Sequence, residues 1–271
     1  MVDPVQLALG RVLRDSALLE RLVADPHATL AELGLDEPTR TRVLGCGVER
    51  LVAYNSMVQT RLLRTVREFS PRAAVVVGDR LGPLVREWIA EQGPSSPYLR
   101  EVPFEFLAWA RPRWARAIAE GQLPAWTLEL FEHELEQRAL VRDPRSSGQA
   151  SPHTVELERG MVGNQTARIL RREFAVHRLP AKLDPAALPE LERGSFVLVA
   201  WRDLADKAHF VQLRPRHAAL LERLLAGASL RDALFGACAA LGETLDDTIL
   251  GDTVVTLAQW CDDQLLLGAS G

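Results

Sequence analysis

The densest group of residues able to do chemistry is the stretch ELFEHELE, which holds Glu129, Glu132, His133 and Glu136. A helix turns by about 100° per residue, so these four side chains fall within roughly 100° of arc and project from one side. Carboxylates and an imidazole in that arrangement are the ligand types of a di-iron or zinc centre. Two features count against it. Leu128, Phe131 and Leu135 occupy a different face, which makes the charged side the expected solvated one, and no second helix offers a matching Glu-x-x-His set. The expectation is a solvated acidic face and no metal held by this chain.

The remaining candidates are scattered. Histidines at 27, 133, 153, 177, 209 and 217 share no helix face, and His177 and His209 fall on presumed strands. Tyr54 and Asn55 interrupt an otherwise apolar and basic helix; a buried polar pair there needs hydrogen-bond partners, so a structural role ranks ahead of catalysis. The phosphate-binding Gly-rich loop, the GxSxG elbow and HExxH are all absent. Cys46, Cys238 and Cys261 form no CxxC pair, so neither a zinc site nor a disulfide framework is indicated and a reducing cytoplasm is expected. At the N-terminus Asp3 precedes any basic residue and the apolar stretch from Val5 to Leu9 is cut by Gly10 and Arg11, which is not the pattern of a secretory signal. No run approaches the roughly 18 apolar residues of a membrane span.

The elements that must position these residues divide into two textures. With 271 residues and 47% hydrophobic content, two domains with separate cores are expected. The stretch DPRSSGQASPH is rich in Pro, Ser and Gly and reads as a solvated linker at 143–152, between a helical domain over 1–142 and a second domain over 153–271. In the first, Leu51, Tyr54, Val58, Leu62, Val66 and Phe69 recur at spacings of three and four, the stripe of a helix that buries one face. Further helices are expected over 79–91, 102–110 and 124–141, with a loop at 93–99. In the second domain, Phe174 with Val176, the run 196–201 and the run 209–213 read as strands. Three helices follow: 215–225, one capped by Ser229, and 246–262 with Leu250, Val254, Leu257 and Cys261 on one face. The fold class is α+β: an all-helical domain followed by a winged-helix-like domain of three strands and three helices.

A winged-helix outline raises DNA binding, and charge argues against it. The net charge is −4, and from Asp232 to Gly271 there is no Lys or Arg, while Asp232, Glu243, Asp246, Asp247, Asp252, Asp262 and Asp263 are acidic. Neutralising phosphate supplies most duplex affinity, so an acidic third helix is repelled. Arg50, Arg61, Arg64, Arg67 and Arg72 lie in the long helix and the turn after it; read as spread over several faces with Glu49 and Glu68 among them, they suggest a protein-contact or solvated surface rather than a nucleic-acid one.

Two stretches resemble a known family. From Arg50 to Trp109 the chain has Tyr54 and Asn55 in a long helix, a turn with Phe69 and Pro71 separated by Ser70 and then Gly78, a loop with Pro94, Ser96, Pro97 and Leu99, and the pair Phe106 and Leu107. In that order these resemble the N-terminal helical domain of the MbnC, TglI and HvfC type of partner proteins. The stretch from RILRREFAVHRL through FVLVAWRD to LAQWCDDQLLLG resembles that family's C-terminal domain, similar to the peptide-recognition elements of ribosomal peptide pathways. The resemblance implies a non-catalytic partner of a multinuclear non-haem iron oxygenase, together acting on cysteines of a precursor peptide, with the iron on the oxygenase and no cofactor in this chain. A flexible leader adds a strand to an exposed sheet edge. The expected edge is His209, Phe210, Val211, Gln212 and Leu213, with Ile249, Thr253 and Thr256 as its wall, and the acidic last helix predicts a leader carrying basic residues. Arg50, Tyr54, Asn55, Arg61 and Arg64 are expected to dock the oxygenase.

Overall fold

The structure, a computed structural model, describes residues 4–270; Asp3, on which the reading of the N-terminus leaned, lies outside them. The chain forms two compact units, one of residues 1–131 with 181–188 and one of residues 132–180 with 189–271.

The first unit is helical. Helices α1 (Pro4–Arg14), α2 (Ser16–Ala24), α3 (Pro26–Glu32) and α4 (Glu37–Gly45) are short, and three of them start on an aspartate. Asp15 accepts from the amides of Ala17 and Leu18, Asp25 from Ala28 and Asp36 from Thr39, satisfying amides that the first helical turn leaves orphaned. Val12, Leu22, Leu30 and Val43 are fully buried between them, against Leu51 of α5 (Val48–Phe69). The long helix stands where the hydrophobic spacing places it.

After α6 (Pro71–Val77) and α7 (Leu81–Glu91), helix α8 (Val102–Ala119) runs nine residues past its expected end at 110. Pro112 inside it removes one backbone donor. Aromatic packing carries the helix through it: Phe106 and Trp114 sit edge to face at 5.7 Å, Trp88 meets Phe106 at 5.7 Å, and all three are buried. The 93–99 loop is held by Glu105, whose carboxylate accepts from the amides of Ser95 and Ser96. Helix α9 (Thr127–Val141) contains the point, between Phe131 and Glu132, at which the two units divide.

The second unit has a sheet as its middle layer. Strand β1 (Met161–Gly163) precedes the antiparallel sheet of β2 (Arg168–Phe174), β3 (Arg193–Arg202) and β4 (Ala208–Leu213), in the spatial order β2-β3-β4. Helices α10 (Pro215–Leu225), α11 (Leu230–Leu241) and α12 (Asp247–Asp262) follow, and β5 (Leu266–Ala269) returns to pair with β1. The architecture is thus α+β, with a three-stranded antiparallel sheet and three helices after it. The β1–β5 ladder was not expected, because each strand is too short to show a period of two. Val176 is not in a strand; it is buried in a single 3-10 turn, Val176–Arg178, which also holds His177.

Register assigns the faces. Ile169, Val199 and Val211 align across the strands, as do Arg171, Val197 and Leu213, and this face packs against α10, α11 and α12. Arg168, Ala200 and Phe210 align on the opposite face, as do Leu170, Leu198 and Gln212. Leu198 and Ala200 there are fully buried. The part of α9 from Glu132 onward covers this second face.

Residues 143–152, expected to be a solvated linker, are tied into the second unit. Asp143 and Ser147 are buried, Ser147 donates to the Asp203 carbonyl, and the Ser151 amide and hydroxyl donate to Leu267 and Ala269. Loop composition marks irregular backbone, and here the irregular backbone is hydrogen-bonded to strands distant in sequence. Among the described residues, no helix is long and apolar enough to cross a membrane.

Candidate functional site

Strand β4 pairs with β3 on one side only, and among the described residues no strand pairs with its other side. Such an edge leaves backbone donors and acceptors in a row, a template for a further strand. Alternation splits its side chains between two surroundings. His209, Val211 and Leu213 look toward the helices. His209 stacks on Trp201, with ring centroids 4.8 Å apart and planes 16° from parallel, and its Nε2 lies 2.7 Å from Asp203 Oδ2. Burial works against charge on Asp203, yet the bond to His209 and the amides of Lys207 and Ala205 outweigh it and hold that carboxyl below its usual range. Val211 is 41% exposed, whereas Leu213 is buried in the core. Phe210 and Gln212 look the other way. Phe210 meets the His133 ring edge to face at 4.9 Å, and Gln212 Oε1 lies 2.9 Å from His177 Nε2 and accepts from Arg178 at 2.6 Å.

The expected wall on α12 is only partly present. Ile249 and Thr253 are buried, together with Leu257 and Trp260, so they support the core rather than line a groove. Leu250 and Val254, expected on the buried face, are exposed instead. Thr256 stands at the margin, half-buried, 3.3 Å from His217 Nε2. On the same stripe Asp252 accepts from Arg216 at 2.9 Å, lies 2.9 Å from His217 Nε2, and is held below the ordinary carboxylate range by those two bonds. Glu243 also accepts from Arg216. Glu243 and Asp252 are therefore already answered by α10, which the local sequence around Asp252 does not reveal.

The Glu-His stretch of α9 departs from its expected setting in a different way. Its charged side is packed, not solvated. His133 is 2% exposed, Glu136 accepts from Arg168 at 2.5 Å, and Glu132 lies 3.9 Å from Arg172. The countercharges come from β2, more than thirty residues on. Arg168 also donates to Asp143, whose carboxyl is held far below its usual value, chiefly by the guanidinium of Arg145. Among the described residues, no group of three or more His, Cys, Asp or Glu is placed to hold a metal ion.

On α5, Arg50, Tyr54, Arg61 and Arg64 are exposed. Their spacing puts them, with the 63% exposed Met57, on one stripe about 80° wide, with Arg67 outside it. Arg64 also donates to Glu68 at 2.6 Å. Asn55 points inward: it is buried, donates to the carbonyls of Val12 and Leu13, and accepts from Gln59. It joins α1 to α5 and is not available to a partner.

A three-stranded antiparallel sheet with an unpaired edge, followed by three helices on one face, defines a winged-helix-like domain. Residues 164–261 match the family model of the HvfC C-terminal domain, which assigns this domain. No curated protein matches. A domain of that type suggests a partner or accessory role in that family.

Proposed function

We propose that the chain is a non-catalytic subunit that binds the leader of a ribosomally made precursor peptide along β4 and presents the cysteine-containing core to a multinuclear iron oxygenase. The unpaired edge of β4 is the observation that carries this reading. A strand added there gains main-chain hydrogen bonds, and the side chains of His209, Phe210, Val211, Gln212 and Thr256 supply selectivity. Leu213, Ile249 and Thr253 hold that surface from beneath. The match to the HvfC C-terminal domain supports an accessory role, and the iron and its ligands belong to the oxygenase. The stripe of Arg50, Tyr54, Arg61 and Arg64 on α5 is the proposed docking surface for that enzyme, since Arg and Tyr are the side chains that most often dominate protein interfaces.

Co-expression with a candidate multinuclear iron oxygenase, followed by affinity purification, tests the partnership. Calorimetric titration of the purified chain with the precursor leader tests the peptide site. A stable complex and saturable binding are expected; absence of both would overturn the proposal. Steeply salt-dependent binding to duplex DNA in place of peptide binding would favour a transcription regulator.

A further inference from the structure

We propose that the outer face of α12 is a docking surface for a basic amphipathic helix of a protein partner. This goes beyond the edge-strand reading and does not depend on it. Helix α12 is apolar on two faces, and the core takes only one. Ile249, Thr253, Leu257 and Trp260 are buried, whereas Leu250, Val254 and Val255 are 39%, 65% and 69% exposed. Gly251 and Ala258 are exposed among them, with open space beside Gly251. A helix on the surface of a globular domain normally turns polar and charged residues outward. Here Leu250, Gly251, Val254, Val255 and Ala258 share about 140° of arc, and Asp247 and Asp262 stand at the two ends of the same stripe, about 22 Å apart along the axis. A contiguous apolar strip rimmed by charge is the composition of a contact surface.

Charge selects the occupant. Asp247 and Asp262 are exposed and make no ion pair among the described residues. Their acidic neighbours are engaged: Asp246 caps the Ile249 amide, Asp252 accepts from Arg216, and Asp263 accepts from Gln259. The two uncommitted carboxylates therefore bracket the apolar strip, in a stretch that has no Lys or Arg from Asp232 to Gly271. A helix with apolar residues at spacings of three and four, and a Lys or Arg at each end, covers the strip and pairs both carboxylates. The negative end of the α12 dipole adds to the preference for a cation beside Asp262. Other occupants meet repulsion. The α12 of a second copy brings carboxylate onto carboxylate in either orientation, and duplex DNA or an anionic membrane surface adds more negative charge.

Two synthetic helical peptides of about five turns test this. They share one face of Leu and Ala and differ only at the ends, which carry Lys in one and Glu in the other. Fluorescence anisotropy on the full-length chain should show the Lys-ended peptide binding about tenfold or more tightly, because each end changes from an attractive exposed pair to a repulsive one. High salt should narrow that gap. Val254→Asp puts an unpaired carboxylate under the apolar contact and should weaken the Lys-ended peptide about tenfold or more. Asp247→Lys/Asp262→Lys should reverse the preference between the peptides. All three positions are exposed, so the variants are expected to fold, and melting temperatures check that. Equal binding of the two peptides, binding of neither, or a preference unchanged in the double variant overturns the proposal. So does self-association of the wild-type chain in light scattering that Val254→Asp abolishes, which would assign the face to a second copy.

Discussion

Asp143 shows what a single residue in a loop-like stretch can hold together. Its carboxylate is buried and receives Arg145 at 2.7 Å and Arg168, so it ties the end of α9 to β2. Both arginines keep some contact with water, which discounts the pair, and Asp143→Asn should cost about 1 to 3 kcal/mol in a urea melt at neutral pH. The pH dependence has a definite sign. Because folding lowers this carboxyl's pKa, its stabilisation is present above the unfolded value of about 4 and is lost as pH falls toward the depressed folded value. The Asn variant should therefore show a flatter loss of stability below about pH 4 than the wild type. Asn55 makes a parallel case in α5. Asn55→Ala strands the buried Val12 carbonyl and the half-buried Leu13 carbonyl and should cost about 1 to 2 kcal/mol, whereas Tyr54→Ala next to it, on an exposed side chain, should stay within about 0.5 kcal/mol. Thermal melts of the two variants separate the inward residue from the outward one.

At the scale of elements, periodicity located α5, β3, β4 and the three closing helices, because each buries a stripe that repeats at its own period. What periodicity did not decide was which of two apolar stripes faces inward. On α12, Leu250, Val254 and Cys261 form one stripe and Ile249, Thr253, Leu257 and Trp260 another, about 80° away. Burial of the large Trp260 ring settles the choice, and that depends on the space left by α10 and the sheet. Ile249→Asp should therefore lower stability by about 3 kcal/mol or more, while Val254→Asp should change it by no more than about 0.5 kcal/mol, as denaturant midpoints would show. The charged face of α9 differs from its expected setting for a related reason. A helix taken alone gives its Glu residues to solvent, and only the pairing of β2 brings Arg168 and Arg172 to them. Pro112 within α8 and the bound segment at 143–152 follow the same pattern: a local signal is overruled by packing against residues distant in sequence.

For the whole molecule, the proposed division of labour places peptide recognition in the second unit and oxygenase docking on α5 in the first. The edge strand and the α5 stripe use different physics. Main-chain pairing at β4 depends weakly on salt, whereas contacts made by Arg50, Arg61 and Arg64 are screened over roughly 8 to 10 Å at ordinary ionic strength. The Arg50→Glu/Arg61→Glu double variant reverses two exposed charges on one stripe without touching a buried group. It should slow association with the oxygenase and weaken the complex about tenfold or more, most at low salt, while peptide affinity measured on the same preparation stays within twofold. Surface plasmon resonance at two salt concentrations reads the first effect and anisotropy the second. Equal loss of both affinities would mean that the stripe and the edge serve one binding event, and an unchanged complex would move the docking surface off α5.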